Sequence, residues 1–216
     1  MRYLTLSFDN GPDLDVTPYV LDVLAERGIL TTFFVIGEKL AEPRRRRVAE
    51  RAHAAGHWIG NHTYSHSVPL GLKSGQDIAQ EEIQRTQEVV GGLSHPERLF
   101  RPFGGGGALN ECLLKPSVVD HLVSGAYTCV LWNAVPRDWD DPVGWISRGI
   151  EQCLAQDWTL MVIHDLPTGA MDHLEGFLKR TEVEGIRIRQ DFPPDCVPIK
   201  SGRIVRSLAQ YVSNLV

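Results

Sequence analysis

The chain lacks several features that would sort it into a class at once. Its four cysteines (Cys112, Cys129, Cys153 and Cys196) form no CxxC or CxC pair. A disulfide frame and a zinc knuckle therefore give way to buried free thiols, the pattern of a reducing compartment. No apolar run approaches the roughly 18 residues of a membrane span. The opening MRYLTLSFDNGP has neither the basic start nor the apolar stretch of a secretory leader. A cytoplasmic protein without a transmembrane segment is the expectation. Positive charge is also short: the net charge of −5 argues against nucleic acid as the main partner. The one basic cluster, Arg44 to Arg47, reads as the solvated face of an amphipathic helix. No GxSxG elbow is present, which removes the common serine-hydrolase arrangement. The glycine run Gly104 to Gly107 lacks the Lys-Ser/Thr partner of a phosphate loop.

What is present is enough apolar material, 43% of 216 residues, to form one core in a single domain spanning residues 1–216. Strand and helix signals alternate along it. Residues 3–8 predict a strand, 17–27 a helix closed by Gly28, 30–36 a buried strand and 43–55 a helix opened by Pro43. A short strand at 57–60 and a long helix from about 76 to 90 follow. Strands at 99–101, 126–133 and 159–164 come next, with helices over 142–154 and 170–183. The tail predicts a short strand near 197–199 and a closing helix at 203–214. This alternation implies parallel strands with helical crossovers, an α/β domain. In such domains the chemistry gathers after the C-terminal ends of strands. Polar residues stand there: Asp9 and Asn10, His62 to His66, Arg101, Asp138 and His164.

His62 and His66 lie four apart in GNHTYSH, a spacing that on one helical turn sets two imidazoles side by side to grip a divalent cation. Exposed or capping histidines are the plainer alternative. Asp9 and Asn10 stand at a strand end beside Gly11-Pro12. Two histidines and one oxygen ligand leave room for water and substrate, the layout of a catalytic metal. Hydrolysis of an amide needs a base, oxyanion stabilisation and an acid. Asp9 suits the base, Arg101 can hold it ionised, His164 suits the acid and Asp138 can tune it. Each also has a plain structural alternative, a helix cap for Asp138 and a surface ion pair for Arg101.

The stretches LSFDNGP, TTFFVIG, GHWIGNHTYSH, LFRPFGGGG, RDW and MVIHD, in that order over residues 5–165, resemble the motifs of the polysaccharide deacetylases. This is the NodB-homology family, carbohydrate esterase family 4. The resemblance implies a distorted (β/α) barrel of about seven strands and a divalent metal, zinc in many members. It also implies removal of acetyl groups from an N-acylated sugar or oligosaccharide. By resemblance Asp9 is the base, His62 and His66 are metal ligands with Asn10 beside them, and Arg101 tethers the base. Asp138 supports His164, the acid. Trp139, Phe103 and Gly104 line the substrate groove, and Val162 meets the acyl methyl.

The sequence departs from the family in three places. Asn10 stands where a second aspartate is usual, so any metal is held by an uncharged amide oxygen and more weakly. The third motif, Arg101-Pro102-Phe103-Gly104, is one residue short, and Val135 replaces a common aspartate in the fourth. Three functions stay open at this level: N-deacetylation of an amino sugar, metal-independent hydrolysis of a cyclic amide, and sugar binding without turnover.

Overall fold

Alternation in Tyr3-Leu4-Thr5-Leu6-Ser7-Phe8 sends Leu4, Leu6 and Phe8 to one face of a strand and Thr5, Ser7 and Asp9 to the other. In the computed structural model, which describes residues 1–213, this segment is β1 (Tyr3–Asp9), and both faces are buried. Strands covered on both sides belong to parallel sheets, where helices pack outside. The chain continues through α1 (Val16–Glu26), β2 (Thr32–Val35), α2 (Gly37–Leu40), α3 (Pro43–Ala54) and β3 (Trp58–Asn61). Next come α4 (Arg85–Val90), β4 (Leu99–Phe100), α5 (Pro116–Ser124), β5 (Thr128–Cys129), α6 (Trp145–Leu154) and β6 (Trp158–His164). The last elements are α7 (Leu174–Val183), β7 (Arg187–Arg189), β8 (Ile199–Lys200) and β9 (Arg203–Ile204).

The strands pair in the order β6-β1-β2-β3-β4-β5, all parallel. β7 runs parallel to the first half of β1, at Tyr3 to Thr5, while β2 takes the second half from Ser7 to Asp9. The circle closes where the segment after β5 returns to β6. Ala134 bridges Met161, and the Val162 N–H donates to the Ala134 carbonyl at 3.0 Å. The fold is therefore a distorted (β/α) barrel. β1 to β7 are its parallel strands, and the β8–β9 hairpin is added antiparallel to β5. Among the described residues no helix is long and apolar enough to cross a membrane.

Two apolar layers hold it. Outside the barrel, Leu4, Leu6 and Phe8 pack with Val20 and Leu24 of α1, Trp145 of α6 and Phe177 of α7. Inside it, Phe34, Leu99, Val130 and Leu160 form a smaller cluster, leaving room for the polar residues of β1.

Three expectations need correction. The tail at 203–213 is not a helix; residue 214 of that expectation lies outside the described residues. Arg203 and Ile204 pair with Lys200 and Ile199 across a two-residue turn, Ser201-Gly202, with both φ positive (46° and 74°). That turn matches the twist of a hairpin, and its geometry overrides the helical pattern of the following residues. The strand expected over 126–133 pairs regularly only at β5; beyond it the chain bends to close the barrel. The long helix ending at Val90 contains a π-helical turn, Gln80–Gln84, before α4.

The α6–α7 layer offers a direct check of this packing. Phe177 is fully buried, with its ring centroid 4.9 Å from that of Trp145. Phe177→Ala should lower the unfolding free energy in urea by about 3–5 kcal/mol, with the native far-UV spectrum retained.

Candidate active site

Because Asp9 shares the inward face of Thr5 and Ser7, its carboxylate emerges inside the barrel mouth, where only 3% of the residue is exposed. A lone buried carboxylate would be costly, and Arg101 meets it. Arg101 follows β4 directly and is completely buried. One of its nitrogens donates to Asp9 Oδ1 at 2.8 Å and to Ser7 Oγ at 2.6 Å. Its other N–H groups reach the carbonyls of Val130 and Leu131, both at 3.2 Å, and its planar head lies over the Phe34 ring. The ion pair expected between these residues is therefore internal, not a surface contact.

The Arg101 backbone carbonyl also accepts a hydrogen bond from His62 Nδ1 at 2.9 Å. This fixes the tautomer and leaves the unprotonated Nε2 of His62 facing Asp9 Oδ2 at 3.5 Å. Two lone-pair atoms facing each other at that distance call for a cation or a proton between them. The His66 ring lies 4.7 Å from that of His62. The two histidines are not on a helical turn, as their spacing suggests. They flank a tight loop in which Thr63 and His66 take positive φ (64° and 48°), and the rings meet through loop geometry. Burial holds both rings below the ordinary histidine range. His66 falls to about 2, with the charges of His62, His164 and Lys39 adding to burial. Both are thus neutral imidazoles, the form that binds metals.

Asn10 lines the same cavity in a positive-φ conformation (72°), and its buried Oδ1 has no hydrogen-bond partner. An orphaned amide oxygen beside two neutral imidazoles fits a divalent cation. Among the described residues no group of three His, Cys, Asp or Glu side chains gathers as a metal cluster. The oxygen atom available beside the two imidazoles is the Asn10 amide.

Across the mouth His164 ends β6, in register with Asp9 on the neighbouring strand. Its Nδ1 donates to Asp138 Oδ1 at 2.9 Å, its backbone N–H donates to Asp138 Oδ2 at 2.8 Å, and Nε2 is left for the cavity. Burial alone would lower the His164 pKa. The Asp138 hydrogen bond and charge, joined by the charges of Asp9 and Asp165, raise it above the ordinary value. Asp138 is itself fully buried beneath the site, so it is a support for His164 and not a surface cap.

Asp9, Asn10, His62, His66, Phe103, Gly104, Trp139, Val162 and His164 all line one cavity of about 270 Å³. Arg101 and Asp138 lie behind it. The Phe103 ring sits 3.9 Å from that of His66, and Trp139 meets His164 edge-on at 4.9 Å. The sequence alone did not single out Trp132 and Leu166, which complete the wall with Val135. Trp132 accounts for the first glycine of the run, Gly104. Its indole N–H donates to the Gly107 carbonyl at 3.1 Å, and a Cβ on Gly104 would fall 2.5 Å from its ring. Gly104 thus lets the backbone lie against the indole, while a Cβ on Gly107, at φ 82°, would fall 2.9 Å from Val135.

The polysaccharide deacetylase profile matches residues 1–114. The chain belongs to the polysaccharide deacetylase family. It is 39% identical over 138 residues to a peptidoglycan-N-acetylglucosamine deacetylase of Bacillus cereus, covering 63% of this chain and 46% of that protein. It is 34% identical over 146 residues to a chitooligosaccharide deacetylase of Rhizobium leguminosarum, covering 64% and 57%. The chain thus spans about half the length of these relatives. Among solved structures, a family 4 carbohydrate esterase from Streptomyces lividans in complex with acetate superposes with a TM-score of 0.72. That pair shares 25% identity, over 91% of this chain and 96% of the esterase.

A further residue shapes the histidine loop of this family member. Glu82, in the π-helical turn, is 3% exposed. Its carboxylate accepts the backbone N–H groups of Tyr64 and Ser65, each at 2.9 Å, the Ser65 hydroxyl at 2.7 Å, and an ion pair from Lys73. Asn61 adds a second tie, accepting the Thr63 N–H at 3.1 Å and donating to the Ile83 carbonyl at 2.8 Å. The sequence signal for Glu82 is a carboxylate within the apolar stripe of its helix, between Ile78, Ile83 and Thr86. Glu82→Gln should leave the fold intact but speed amide hydrogen exchange at Tyr64 and Ser65 about tenfold or more, since a charged acceptor is lost.

Proposed function

We propose that the chain hydrolyses the N-acetyl group of an acetylated amino sugar or its oligosaccharide. The observation that carries this is the placing of two differently supported groups on neighbouring strand ends. Asp9 is held by Arg101, and His164 by Asp138, across one cavity. Asp9 takes the proton from the attacking water, its carboxylate oriented by the guanidinium of Arg101. His164, protonated and steadied through Nδ1, delivers a proton from Nε2 to the departing amine. Phe103 and Gly104 line the cavity, and a backbone N–H of this segment would serve the oxyanion. Val162, Leu166 and Val135 supply the apolar surface for the acetyl methyl, and Trp139 is a flat wall for the sugar ring.

His62, His66 and the Asn10 amide oxygen would hold a divalent cation, zinc being suited to two imidazoles and an oxygen. Such a cation supplies Lewis acidity to the acyl carbonyl and the attacking water. The names of the relatives support an acetylated glucosamine substrate, and the acetate in the Streptomyces lividans complex supports acetyl as the group released.

Acetate release from N-acetylglucosamine oligomers, with and without chelator, tests this. Asp9→Asn and His164→Gln should each lower kcat by about 10²–10⁴-fold. Release that survives chelation would instead favour a metal-independent hydrolase, and none from any N-acetyl sugar would sink the proposal. The pH profile has a defined sign. Asp138 holds the His164 pKa up, so the acid form persists above the ordinary histidine range and activity falls only as pH rises past it. Asp138→Asn should therefore move the alkaline limb to lower pH. Calorimetric zinc titration tests the third ligand: Asn10→Asp should tighten binding about tenfold, from the added charge, and unchanged affinity would remove Asn10 from the coordination sphere.

A further inference from the structure

The barrel has a second opening at the N-terminal ends of its strands, away from the catalytic mouth. Trp58 at the start of β3, Leu99 of β4 and Thr128 of β5 line a cavity there of about 360 Å³, larger than the catalytic one. The segment that runs from β7 into β8 and β9 folds across it with Phe192 and Lys200. Its size falls within the range of small-molecule sites.

Its lining has a definite chemistry. The Trp58 ring stands between His95, at 4.6 Å, and Phe192, at 5.6 Å, so one wall is aromatic. His95 Nδ1 accepts the Glu97 N–H at 3.2 Å, which puts the proton of the neutral ring on Nε2 as a donor. Glu97 Oε2 accepts from the Thr128 hydroxyl at 3.3 Å, and Oε1 has no partner among the described residues. Lys200 on the facing hairpin forms no salt bridge among the described residues, although it shares the cavity with Glu97. The other carboxylate, Asp191, is already paired with Arg189 at 2.6 Å. One unpaired anion and one unpaired cation therefore face the cavity, with no net charge between them. An anionic or a cationic ligand would meet a like charge. A neutral polyhydroxyl compound would use the cation and the imidazole N–H as donors and the carboxylate as acceptor, and lay its C–H face on an aromatic ring.

We propose that this cavity is a second carbohydrate site, which holds one neutral sugar ring of a glycan chain. The assignment follows from the cavity's own groups and does not depend on the deacetylase activity. The uncharged sugars of an acetylated glycan suit it, whereas a free amino sugar brings a positive charge beside Lys200.

The test is an NMR titration of the ¹⁵N-labelled full chain with the neutral tetramer of N-acetylglucosamine, following the Trp58 indole N–H. That resonance should shift saturably. Glu97→Gln should weaken the saturation about tenfold, from the loss of one charged hydrogen bond, with resonances at the catalytic mouth titrating as before. Glu97→Gln keeps size and shape, and the rest of its spectrum reports that the fold is intact. An indole resonance that does not move, or that saturates equally well in Glu97→Gln, overturns the site. Saturation by the fully deacetylated, cationic tetramer at lower concentration than the neutral one overturns the ligand class. A Trp58 response with a silent catalytic mouth supports the second site while counting against the proposed substrate, so the two conclusions fail separately.

Discussion

The Arg101 guanidinium is the contact on which the rest of the mouth depends. It is wholly buried, yet it donates to Asp9, Ser7, Val130 and Leu131, and so joins β1 to the segment that closes the barrel. Its own carbonyl sets the tautomer of His62. One residue therefore fixes the orientation of the carboxylate and the open lone pair of the nearest imidazole. Removing either partner of a buried ion pair typically costs about 3–5 kcal/mol, because the other charge is left uncompensated. The site is thus built into the barrel interior and is not laid upon its surface.

The remaining groups are held through the same division of labour. Atoms that would face substrate keep a free valence, and residues behind them take up the other one. Asp138 occupies His164 Nδ1 and leaves Nε2; Glu82 and Asn61 occupy the backbone of the histidine loop and leave its rings. Trp132 packs against Gly104 and holds the Gly107 carbonyl, with Phe103 and Gly104 at the wall. Asn10 Oδ1 lines the same cavity, buried and without a hydrogen-bond partner, which fits the oxygen donor of the proposed cation.

Much of this was legible in order and spacing. Parallel alternation follows from strands that are apolar on both faces, and polar residues after each strand end up at one mouth because all those strands run the same way. Asp9, Arg101, His62, His66, Asp138 and His164 were recoverable for that reason. The hairpin at Ser201-Gly202 was missed because two residues of positive φ outweigh the helical pattern expected over 203–214. The helical pairing of His62 with His66 was wrong in mechanism though right in outcome: a loop held by Glu82, eighteen residues downstream, brings the rings together. Glu82 itself shows in sequence only as one acid in an apolar stripe.

By itself the sequence determined the strand–helix alternation, the residues at each strand end and the amide at position 10. These are local properties, written in periodicity and residue type. Tertiary structure decided which of those residues touch. It buried the Arg101 head against Asp9, turned Asp138 beneath His164, and brought Trp132 under the glycines. It also left an opening at the far end, framed by Trp58, Glu97 and Lys200. Such tertiary contacts join residues as far as 186 positions apart (Thr5 to Asp191), and no local rule of helix or strand specifies them. They arise only when the barrel closes and desolvation forces each buried polar group to find its partner.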